Sequence, residues 1–154
     1  MTRFRPAILL LLLWSAAGMA QTFRVDDSAS EVLDSGPVKM RWDRLVPQPG
    51  QPSTMTGQVV VLVRLDVSPW RGLNARIYQT LPPQPIGPVD VQWTTNGPMM
   101  AGRLRDGGRT LVYAGPIQAD HLEDTLRLTI QVDGNRVLRS QDLQFSFEIE
   151  PESP

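Results

Sequence analysis

The sequence predicts an all-β fold: a single antiparallel β-sandwich of immunoglobulin-like type, with about seven to nine strands, preceded by a signal peptide helix. Three observations predict it. From Val38 onward apolar and polar residues alternate with a period of two, the spacing of half-buried strands. Clusters of Gly, Pro, Asn and Asp punctuate that alternation at short intervals. Beyond residue 20 no stretch sustains the 3.6-residue period of a helix. An up-and-down barrel is the competing way to close the same strands.

Residues 1–20 read as the signal peptide. Arg3 and Arg5 give a positive start, Ala7 to Trp14 an unbroken apolar run, and Ser15 to Ala20 a small-residue exit. The run is too short for a membrane-crossing helix, which needs about 20 residues. Cleavage is expected between Ala20 and Gln21. The product would reach the periplasm, the cell surface or the extracellular space by the general secretory route.

Residues 21–36 are polar, with only Phe23 and Val25 alternating before Asp26-Asp27-Ser28 breaks the pattern. They are expected to form a flexible leader. The sandwich domain follows over 37–151, with 152–154 as a disordered tail.

Within the domain, Val38, Met40 and Trp42 alternate with Lys39, Arg41 and Asp43, and Pro47 to Ser53 forms a loop. Val59, Val61, Val63, Leu65 and Val67 give the strongest inner strand. Val60 and Leu62 make its other side apolar as well, so it is either covered on both faces or offers an edge to a partner. Ser68 to Gly72 is a turn, and Ala75 to Leu81 is a strand. Pro82 to Pro88 interrupts pairing, because proline has no ladder donor. Its overlapping P-x-x-P spacings favour polyproline II, read here as a stiff crossover between sheets. Val89, Val91 and Trp93 resume the alternation. Asn96-Gly97 signals a turn, and Met99–Arg105 with Thr110–Ala114 reads as a hairpin. Last come Leu126, Leu128, Ile130 and Val132. Asp133-Gly134-Asn135 reads as a positive-φ hairpin turn joining them to Leu143, Phe145, Phe147 and Ile149. Leu122 to Leu126 resembles the acidic corner before a late strand in immunoglobulin-like sandwiches, although the usual tyrosine and cysteine do not follow.

Removing 20 residues from 154 leaves 134, one ordinary domain, and with no cysteine its fold must rest on packing and hydrogen bonds alone. The remaining 13 basic and 16 acidic residues lack the basic excess of a nucleic-acid binder. Lys39 is the lone lysine.

The residues that carry chemistry are sparse. Without Cys, and with His121 the sole histidine and no G-x-S-x-G elbow, nucleophilic catalysis has little to work with. Asp120, His121, Glu123 and Asp124 offer one nitrogen and no bending glycine, too little for a standard zinc or calcium site. A structural corner explains the acids better, and His121 reads as a solvated loop residue. Carboxylates paired for glycoside hydrolysis would show only as a separation in space. Trp42 and Trp93 lie on the apolar phase and are expected in the core, whereas Trp70 follows Pro69 in a turn.

The expectation is therefore a non-enzymatic protein with no cofactor and no metal, a structural or interaction subunit of the cell envelope. A pilus-like fibre or its assembly is the leading setting, with partners among other envelope proteins met through sheet edges. The alternative is a periplasmic ligand-binding or assembly-helper domain that uses loop aromatics. Phe23, Val25 and Trp70 are the candidate partner contacts.

Overall fold

The computed structural model describes residues 21–46, 48–137 and 142–152. The signal peptide and its Ala20 cleavage position lie outside them, as do the last two residues of the expected tail. Among the described residues ten strands form, in the order β1 (Phe23–Val25), β2 (Glu31–Val32), β3 (Arg41–Trp42), β4 (Thr54–Asp66), β5 (Asn74–Leu81), β6 (Val89–Thr95), β7 (Gly102–Arg105), β8 (Gly108–Pro116), β9 (His121–Asp133) and β10 (Ser146–Pro151). They make two antiparallel sheets. One runs β1-β10-β5-β8; the other runs β2-β4-β9-β6-β7, with β3 also paired to β4.

The alternation read from the sequence selects the buried face. Val59, Val63 and Leu65 of β4, Leu126, Leu128 and Ile130 of β9, and Val89, Val91 and Trp93 of β6 point inward from the larger sheet. Ile77 and Leu81 of β5 with Phe147 and Ile149 of β10 meet them from the smaller one, giving one shared core. Burying an aliphatic or Phe side chain of this kind contributes about 1.5–3 kcal/mol each. The frame is the β4–β9 pair, in register from Thr54↔Asp133 to Asp66↔His121.

Several sequence expectations are corrected. Of the two alternatives for β4, the offered edge is excluded, because β9 pairs with one side of it and β2 and β3 with the other. Met99–Arg105 and Thr110–Ala114 do not form a hairpin: β7 pairs with β6, while β8 pairs with β5 in the opposite sheet. Asp133-Gly134-Asn135 does not join paired neighbours either, since β9 and β10 lie in different sheets. Gly134 has no positive φ; it is glycine because the six-membered ring of Trp42 occupies the space of a Cβ. Glu152, assigned to the tail, donates its backbone N–H to the Asn74 carbonyl at 2.8 Å. Local turn chemistry cannot distinguish a hairpin from a link between sheets, because both need the same sharp reversal.

The proline-rich segment carries the chain from β5 in one sheet to β6 in the other. Asp106 ties its two ends, accepting the N–H of Gln84 at 3.0 Å on one carboxylate oxygen and that of Val89 at 2.9 Å on the other.

Candidate functional site

The N-terminal segment crosses one narrow side of the sandwich and belongs to both sheets. β1 pairs with β10 through Phe23↔Ile149, Arg24↔Glu148 and Val25↔Phe147. The chain then bridges to the larger sheet at Asp26↔Asp66, and β2 pairs with β4 through Glu31↔Leu62 and Val32↔Val61. The segment read as a flexible leader thus supplies two edge strands. Two of its polar side chains also serve the ladder. The Ser30 hydroxyl accepts the Arg64 N–H at 2.9 Å, and Asp34 accepts the Val60 N–H at 2.8 Å. They satisfy backbone groups of β4 that would otherwise form an exposed pairing edge.

Two of the three candidate contact residues meet at this side. Phe23 and Val25 share a face of β1. Val25 is only 1% exposed, so within the folded chain this candidate partner contact is a core residue. At Phe23 the core ends, and its ring meets that of Trp70 at 6.0 Å, tilted by 49°. Trp70 closes the 3-10 turn Ser68–Trp70 after β4 and packs half-buried against the core. Asp66 sets that turn by accepting from both the hydroxyl and the N–H of Ser68, at 2.6 and 3.0 Å. These bonds hold its carboxyl below the ordinary aspartate range. The Ser28 N–H does the same for Asp26.

Val32 is 59% exposed, and Leu33 beside it is half exposed. Their signal was present in the sequence as two adjacent apolar residues in a polar stretch, yet no period of two framed them. Trp42 also departs from expectation. Val38 and Met40 pack against the core over Gly57, but Trp42, next on the same phase, reaches the rim and stays 46% exposed.

The acidic corner separates in space. His121 begins β9 opposite Asp66, so it is a strand residue and not a loop residue. Asp120 pairs with Arg71 at 3.0 Å, and Glu123 with Arg64 at 3.1 Å. Asp124 turns inward, 6% exposed, and accepts the Met99 N–H at 2.8 Å and the Thr95 hydroxyl. Among the described residues no group of three His, Cys, Asp or Glu side chains could hold a metal ion. Nor is any helix among them long and apolar enough to cross a membrane.

Comparison of the chain with protein-family models, curated proteins and solved structures returns no match.

Proposed function

We propose that the protein is an exported, non-enzymatic subunit of the cell envelope, working by contact through its sheet edges as part of a surface fibre or of its assembly. We read its sandwich as immunoglobulin-like. In chain order β2, β4, β5, β6, β9 and β10 correspond to strands A to F of that fold, which pairs A-B-E-D in one sheet and C-F-G in the other.

The observation that carries the reading is the place of β1. On this correspondence it stands beside β10 where strand G would pair with F, yet it comes from the segment ahead of strand A. A short terminal strand in that position can make the same backbone bonds to its own sheet or to the next copy, which is strand addition. Phe23, Val32 and Leu33 extend the exposed apolar surface along the same side. The acids with displaced titration have structural partners: Asp26 holds Ser28, Asp66 holds Ser68, Asp90 holds Arg105 and Glu150 holds Arg109. That supports contact over catalysis. Export to the periplasm or the cell surface is read from the Arg3-to-Ala20 signal pattern.

Because the chain has no cysteine, one pair of substitutions tests the reading. Arg24→Cys with Glu148→Cys places thiols on directly opposed residues of β1 and β10. The expected result is an interchain ladder on non-reducing gels of exported material, reduced to monomer by thiol. A disulfide confined to monomers would overturn strand exchange. The mass of the exported chain should begin at Gln21.

A further inference from the structure

We propose that the strap from Lys39 to Val46 seats the protein on an anionic phospholipid surface. This does not rest on the fibre reading, and it uses residues away from β1.

The strap carries two matched features. Trp42 is 46% exposed, Val46 71% and Leu45 94%, the last being nearly as free as in an extended chain. Lys39, Arg41 and Arg44 are exposed in the same stretch, Lys39 and Arg41 on the strand phase opposite to Trp42, with Asp43 the one acid. Three cations against one carboxylate stand out on a chain whose formal net charge is −1. Among the described residues none of the three enters an ion pair. Among the described residues Arg44 donates only to the side-chain carbonyl of Gln51.

The base of the projection is fixed. The Asp43 N–H donates to the Thr54 carbonyl at 3.0 Å, the Gly134 N–H to the Ser53 carbonyl at 2.8 Å, and the Gln51 N–H to the Gln48 carbonyl at 3.1 Å. The Trp42 ring rests on Gly134, so the base of the strap needs little further ordering to bind.

An anionic bilayer interface fits this chemistry. Aliphatic tips enter the acyl boundary, an indole settles at headgroup level with its N–H wet, and cations meet phosphates. Trp42, Arg44 and Leu45 also line a cavity of about 350 Å³, but Leu45 stays 94% exposed and Val46 lies outside that lining, so a peptide or sugar held there would leave the apolar tip uncovered. Charge complementarity selects anionic over neutral lipid.

The test is flotation of the purified protein with vesicles of phosphatidylcholine alone or mixed with phosphatidylglycerol. Binding is expected to the mixed vesicles only, and to fall at high salt. Arg41→Gln with Arg44→Gln should weaken it by about tenfold or more. Leu45→Ser with Val46→Ser should abolish it while near-ultraviolet circular dichroism stays unchanged. The blue shift of tryptophan emission on binding should vanish in Trp42→Phe. No binding, equal binding to neutral vesicles, or binding that survives the Leu45/Val46 change would each overturn the proposal. A protein adduct formed from a photo-crosslinker at position 45, without vesicle binding, would overturn it in favour of a protein partner.

Discussion

Val25 lies directly opposite Phe147, and both are buried in the core. The N-terminal segment is thereby joined to the last strand, across a sequence separation that no local pattern could bridge. The consequence is energetic as well as topological, because a strand of three residues contributes a full core side chain.

Val25→Ala should therefore destabilise the protein by about 2 kcal/mol, the order expected for a fully buried Val. Deleting residues 21–35 should cost more, since it also strips Ser30 and Asp34 from the edge of β4. Urea denaturation of both variants checks this. A deletion as stable as the parent chain would show that β1 and β2 add nothing to the fold.

Phe147→Ala should cost about 3–5 kcal/mol, because the ring is buried on the core face of β10. Alternation alone would make its neighbour Ser146 a neutral site. In the structure the Ser146 hydroxyl bonds the Thr80 hydroxyl at 2.7 Å across the strands. Ser146→Ala should then cost about 1 kcal/mol, the usual net worth of such a bond. Thr80→Ala should cost much the same, and the double variant should cost less than the sum of the two. A double-mutant cycle in urea measures it.

Gly97→Ala should be among the more damaging surface changes. The Asp124 carboxylate fills the space that a Cβ at residue 97 would take. Overpacking of that kind costs about 1–3 kcal/mol. Moving Asp124 would release the Met99 N–H from its bond. Asp124→Ala should destabilise in the same range by leaving that buried donor unpaired. Hydrogen exchange at the Met99 amide is the specific readout, and it should quicken in both variants.

Acid should weaken the β6–β7 edge. Asp90 lies between Arg105 and Arg103, 2.8 and 3.2 Å away, and Arg105 foremost holds its carboxyl below the ordinary aspartate range. A folded-state pKa below the unfolded one means that the pair stabilises fully above the unfolded value, and that this is lost as pH falls through the folded one. The advantage of the parent chain over Asp90→Asn should therefore hold at neutral pH and shrink below about pH 4. Both arginines are well exposed, so the whole effect should stay within about 1 kcal/mol. Denaturation midpoints of the two proteins across that range decide it.

What the sequence determined by itself was the strand phase. Val89, Val91 and Trp93, the even-numbered apolar run of β9, and Phe147 with Ile149 all face the core. Alternation is a local property of an extended chain with one buried face. The two-sheet, all-β class followed from the same pattern, and the proline segment was legible as a link between sheets. Phe23 and Trp70 were legible as candidates, one from a brief alternation and the other from its turn.

Tertiary structure decided what each strand meets. Nothing local sends β8 and β10 to the opposite sheet from β7 and β9, because a turn of the same residues serves either route. Nor could alternation foretell that Trp42 would fall beyond the last core layer, with Gly134 under its ring, and remain at the surface. The polar leader gave least warning. Its few apolar residues carry no period, and its order comes from backbone groups of β4 and β10 that only the assembled sheets bring within reach. Pairing partners are set by long-range geometry, which a one-dimensional pattern does not encode.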